Sequence, residues 1–267
     1  MPLPNRLTLA SVLCTTCLLG GVAWLATAVA KPPAAATVKL SQVISRADLR
    51  LKASAQLDLA RQLLETRKSY NDSAKHELPR AAGLLAVIGQ AVAEHDAKRP
   101  AKTSDTGKPI HGPTLRVSAL KLAASKSRSE ALAAIPALQA AVDGQAAPNG
   151  TRRKAWTGLI SLDHIMEELN SRNSRLRRAV RRSRDPKRDA RNAATMALLG
   201  VVVAADTHEV KQKAQLPAWK KYALQFQVNA SATAAALRKG DAASVKTRYL
   251  KAAKACAACH SDFRHDE

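Results

Sequence analysis

Two thiols and an imidazole stand together near the end of the chain, in Cys256-Ala257-Ala258-Cys259-His260. On a helix the cysteines fall at i and i+3 and the histidine at i+4, so all three project from one side. That is the spacing that fastens a c-type haem. The sulfurs form thioethers to the two vinyl groups, and His260 supplies an axial nitrogen to the iron. Cys-x-x-Cys also occurs in zinc and thiol-redox sites. The only other cysteines, Cys14 and Cys17, lie in an N-terminal targeting segment, and nothing near Cys256 reads as a thioredoxin-like βαβ unit. The expectation is one covalent haem c on Cys256 and Cys259, with His260 as proximal iron ligand.

The N-terminus agrees with that chemistry. Arg6 precedes an uncharged stretch from Leu7 to Ala30, and Ala28-Val29-Ala30 before Lys31 is an A-x-A cleavage signal. A signal peptide over residues 1–30 and a periplasmic location follow, because covalent haem attachment in bacteria takes place outside the cytoplasm. The alternative is a retained membrane anchor, since the stretch is long enough to span a bilayer. The chain has 43 Lys and Arg against 21 Asp and Glu, a net charge of +22. Such an imbalance steers it toward an acidic redox-partner protein or an anionic membrane surface. Export argues against nucleic acid, and an aromatic content of 3% leaves no platform for stacking bases. There is no Gly-rich phosphate loop and no Ser/His/Asp arrangement, and the adjacent Glu167 and Glu168 point to different faces, so no enzyme constellation is expected.

The elements that must position Cys256, Cys259 and His260 read as helix throughout, rich in Ala, Leu, Lys and Arg without β-branched alternation. After a lead-in at 31–38, breaks fall at Pro100 to Pro113 and at Gly144 to Gly150. The second break halves the mature chain, and the halves resemble each other. Ala82 to Gly89 matches Ala193 to Gly200, and Pro113 to Leu122 matches Pro217 to Phe226 at a shorter spacing, which gives the first copy a longer middle loop. In the second copy Leu159, Leu162, Met166, Leu169, Asn173, Leu176 and Val180 recur at steps of three and four. A second helix starts near Asp185 or Pro186, a third opens at Pro217 and ends at Gly240, and Asp241 caps a fourth. That fourth helix carries Val245, Tyr249, Ala252, Cys256, Cys259 and Phe263 on one seam, so a porphyrin attached there would lie against a bundle interior. In the first copy the last helix starts either at the capping box Ser127 to Glu130 or at Pro136.

Four helices with Cys256-Ala257-Ala258-Cys259-His260-Ser261-Asp262-Phe263-Arg264 closing the last resemble the class II c-type cytochromes, the cytochrome c-prime group and its low-spin relatives. The resemblance covers about 152 to 264, and the first copy only by helix pattern, since that copy has no cysteine. It implies an all-α protein of two tandem four-helix bundles: a haem-less bundle at 39–144, a linker at 145–151 and a haem-binding bundle at 152–267. It also implies that one residue of the first helix faces the distal side of the iron, and the matching position is Met166. A thioether there closes the site and suits electron transfer; the alternative is that Met166 packs the core and the open iron binds nitric oxide or carbon monoxide. His164 competes poorly, because i and i+2 do not share a helix face. His208 and His265 read as solvated and Met196 as core. Lys246, Arg248, Lys251, Lys254 and Arg264 would ring the attachment site, and the nine basic residues from Arg175 to Arg191 read as exposed. Family members pair through their early helices, so the haem-less copy is expected to stand in for a second subunit as an intramolecular pseudo-dimer.

Overall fold

A chain this rich in strong helix formers and this poor in strand signals folds into helices alone, and every regular element among the described residues is helical. The structure is a computed structural model that describes residues 39–98, 109–146 and 155–264. The signal-peptide and anchor readings, the lead-in, most of the first break, linker residues 147–151 and His265 lie outside the described residues. The helices are α1 (Leu40–Val43), α2 (Arg46–Leu64), α3 (Arg67–Ser73), α4 (Glu77–Lys98), α5 (Gly112–Ala123), α6 (Arg128–Val142), α7 (Leu162–Arg181), α8 (Pro186–Ala205), α9 (Leu216–Lys239) and α10 (Ala242–Phe263).

Their limits follow from local chemistry. Ser45, Ser127, Ser161, Asp185 and Asp241 each accept the backbone N–H three residues on, satisfying a donor that has no partner within the helix. Glu130 closes the capping box by accepting from Lys126 N at 2.8 Å, so α6 starts at Ser127 and runs through Pro136. Gly240 ends α9 in the left-handed region at φ 71°, which a residue without Cβ adopts freely.

In the N-terminal half α2 packs on α4, α4 on α5, α5 on α6, and α6 returns to α2. The C-terminal half repeats this circuit: α7 on α8, α8 on α9, α9 on α10, and α10 back to α7. Ala82–Gly89 and Ala193–Gly200 fall on α4 and α8, the second long helix of each circuit, and Gly89 and Gly200 do one job there. A Cβ at Gly89 would stand 2.6 Å from Arg116 N on α5, and one at Gly200 would stand 3.1 Å from Phe226 Cδ1 on α9. Each glycine lets the third helix come close to the second.

The two circuits share one hydrophobic core. α4 is buried on every side from Ala81 to Ala93, since it faces its own neighbours and also α1 and α7. Polar contacts bind the halves. Arg238 on α9 donates to Asp48 on α2 at 2.7 Å. Asn192 Oδ1 accepts from Lys52 at 3.1 Å and from Arg172 at 3.2 Å. Arg172 also pairs with Glu168, while Arg80 reaches Glu167 at 3.3 Å and Glu168 at 3.7 Å. The adjacent glutamates therefore converge on one arginine rather than diverge.

Candidate functional site

Cys256 and Cys259 lie on the last two turns of α10, half-buried against the core. The end of α10 is fixed by aromatic packing. The ring of Phe263 meets that of Trp219 edge-on with centroids 5.1 Å apart, and meets Tyr222 at 6.4 Å. Trp219 Nε1 donates to Val203 O at 2.7 Å, and the Tyr222 hydroxyl donates to Asp262 at 2.8 Å. Three helices, α8, α9 and α10, are thus locked together one turn beyond Cys259. The thiols occupy a set position.

His260 is exposed, as are Ser261 and Asp262. The site therefore straddles the boundary of the core, with both sulfurs on the inner side and the imidazole at the rim. Burial, and secondarily the neighbouring Cys259, pushes the Cys256 thiol up to about 11; burial, then Asp262, pushes Cys259 up to about 11. Both thiols are protonated at neutral pH. Redox and metal-binding cysteine pairs work as thiolates and lower this value instead. Among the described residues no three His, Cys, Asp or Glu side chains converge to hold a metal ion.

Met166 sits on α7, half-buried and packed against the core. The Tyr249 hydroxyl on α10 donates to Asn173 Oδ1 on α7 at 2.9 Å, which fixes the register of the two helices. Short turns reverse the chain between α7 and α8 and between α9 and α10, so α7 and α10 run antiparallel. Two turns back from Asn173 is Met166, and two turns on from Tyr249 is Cys256; each step is about 10 Å. Met166 and Cys256 accordingly stand at one level of the seam. Ile165, next to Met166, is fully buried. His164 is half-buried, His208 is exposed beside Asp206, and Met196 is 4% exposed in the core.

The seam between α7 and α10 is the least closely packed of its circuit. Its residues are apolar: Leu162, Met166 and Leu169 on α7 and Ala252, Ala255, Cys256 and Cys259 on α10 all pack against the core. Two free, protonated thiols, an imidazole at the rim and apolar walls fit a flat macrocycle held by thioethers. Of the five basic residues read as a ring, Lys251, Lys254 and Arg264 lie near the thiols, whereas Lys246 and Arg248 sit about 15 Å and 12 Å back along α10.

The Lys52, Arg172, Glu168 and Arg80 network escaped the sequence reading. Its members are charged, and charged side chains read as solvent-facing, yet Arg172 is 6% exposed. The buried residues of α7 are Ile165, Arg172, Leu176 and Ala179, so a charged side chain lies among the core positions beside the apolar seam. Comparison with known protein families, with characterised proteins and with solved structures finds no match to this chain.

Proposed function

We propose that the chain is an exported electron carrier with one haem c, built as two tandem four-helix bundles of the cytochrome c-prime kind. The observation that carries the reading is the half-buried face of α10, where Cys256 and Cys259 look into the loosely packed seam at the level of Met166. A haem bound there supplies an iron that gains and loses one electron. Cys256 and Cys259 would hold it by thioethers and His260 would ligate it from the rim. Met166 would offer its sulfur from the opposite wall, a soft donor that favours the reduced state. The apolar walls exclude water and leave the molecule little to rearrange on electron gain or loss. Because the halves are tied through Asp48, Lys52 and Arg80, the haem-less bundle would cover a flank of the haem bundle as a second subunit would.

Met166→Ala is the test of the distal side. The expected outcome is a change from a six-coordinate to a five-coordinate optical spectrum with new carbon monoxide binding, and an unchanged spectrum removes Met166 from the site. A second reading draws on the packing of Met166 against the core. A Met166 held there as a packing residue would leave the iron open to nitric oxide or carbon monoxide. Carbon monoxide binding by the unaltered protein would favour that reading.

A further inference from the structure

The strongest charge feature of the molecule lies away from Cys256. α7 ends, α8 begins, α9 ends and α10 begins at one end of the C-terminal circuit; the thiols belong to the other. The run from Arg175 to Arg191 covers the first of these ends. Eight of its nine basic residues, all but Arg191, are exposed. Exposed Lys239 and Lys246 stand at the same end.

The two acids in the run do little to offset this charge. Asp185 caps α8 by accepting from Arg188 N at 3.0 Å, and Asp189 is 7% exposed and accepts from the Ser183 hydroxyl at 2.7 Å. Both are held by the fold. The cations sit at the carboxyl end of α7, where Arg178 and Arg181 complement the helix dipole, and Arg188 reaches Asp185 at 3.9 Å, so the fold tolerates them while most of the run keeps its positive charge.

We infer that this end docks the protein on an anionic lipid surface, with the Cys256–His260 end turned away from it. Protein interfaces need an apolar core from which charges are depleted. No such core exists in this run: the exposed large apolar side chains among the described residues are Leu51, Leu132, Val228 and Leu250. A lipid surface presents diffuse negative charge and needs no anchor. No helix among the described residues is long and apolar enough to cross a membrane. From Ala242 to Cys256 α10 rises about 21 Å, which holds the thiols clear of the headgroups. The inference does not rest on haem attachment.

The test is co-sedimentation of the mature chain with vesicles of equimolar phosphatidylglycerol and phosphatidylcholine, compared with phosphatidylcholine alone. One variant neutralises Arg181, Arg182, Arg184 and Lys187 to Gln. The other neutralises Lys220, Lys221, Lys251 and Lys254 to Gln, removing the same charge from the thiol end. Binding is expected only to the anionic vesicles and is lost at high salt. The first variant is expected to weaken it about 100-fold or more and the second only a few-fold. Circular dichroism melts confirm that both variants fold. Equal losses in the two variants would mean that net charge alone drives binding and would overturn the inference. So would binding that survives high salt, or binding to polyglutamate that the first variant abolishes while the anionic vesicles stay unbound, which would assign this end to an acidic protein.

Discussion

The two halves close the seam between their first and last long helices differently. In the N-terminal half, Arg50 donates to Val142 O at 3.3 Å, Arg61 bonds Gln139, and Arg128 donates to Leu64 O at 2.9 Å and Glu65 O at 2.8 Å, so α2 is laced to α6. In the C-terminal half the seam between α7 and α10 has one side-chain bond among the described residues, Tyr249 to Asn173. When α6 is laid on α10 from their caps, Ser127 on Asp241, Leu138 meets Ala252 and the buried and exposed positions largely agree. Cys256 then falls on Val142, the last residue of α6, and Cys259 and His260 lie on the turns by which α10 is longer. The same scaffold is shut by arginines in one half and lined by sulfur and small apolar groups in the other. The length and chemistry of the last helix separate the half closed by polar contacts from the half that carries the candidate site.

The largest expected effect breaks that contrast outright. Cys256→Ala with Cys259→Ala should abolish haem staining on a denaturing gel, whereas Arg50→Ala with Arg61→Ala in the other seam should leave the stain and lower the melting temperature. Staining retained by the thiol variant would remove the difference between the halves.

The equivalent glycines sharpen the contrast at smaller scale. A methyl at Gly89 meets the backbone of Arg116 at 2.6 Å and of Gly112 at 2.7 Å, which cannot yield without moving α5. Gly89→Ala should cost about 3 kcal/mol in chemical denaturation. At Gly200 the nearest atoms are Phe226 Cδ1 at 3.1 Å, on a ring that can turn, and Gln227 Cβ at 3.2 Å, where a few tenths of an ångström of give suffice. The gain in helix propensity, about 1 kcal/mol, offsets that strain, so Gly200→Ala should be nearly neutral. Equal costs would mean that the two helix pairs are packed equally closely and would remove this contrast.

The smallest effect concerns the contact between the halves. Burial first, and then Arg172, lowers Lys52 from 10.5 to about 7. The unfolded chain keeps this proton to the ordinary lysine range, so above about pH 7 the unfolded state binds more protons and stability rises with pH; below pH 7 the penalty is full and constant. Lys52→Met should flatten the rise between about pH 7 and 9 and add about 1 kcal/mol near neutrality. Above about 9 the raised thiols of the unattached chain act in the opposite sense. An unchanged slope would take Lys52 out of the buried network.

Much of this was legible in the residues themselves. Asp185, Pro217, Gly240 and Asp241 mark their helix ends because capping and left-handed closure are local events, decided within four residues. The first helix of the second copy starts at Leu162, after Leu159, because Ser161 caps it. The apolar steps of α7 and α10 marked the seam and placed the sulfurs on it. Long-range pairing was not legible. Glu168, Arg172 and Lys52 carry charges that read as solvated, and only the approach of α2 and α4 to α7 buries them. Of the five basic residues read as a ring, Lys246 and Arg248 lie two to three turns from the sulfurs, because proximity in sequence on a helix is length along an axis.

The central claim is a pair of covalent bonds from Cys256 and Cys259 to a porphyrin, and the intact mass of the denatured mature protein tests it most directly. The account predicts the polypeptide mass plus that of one haem. A mass equal to the bare polypeptide, in protein made by cells able to attach haem c, would contradict it.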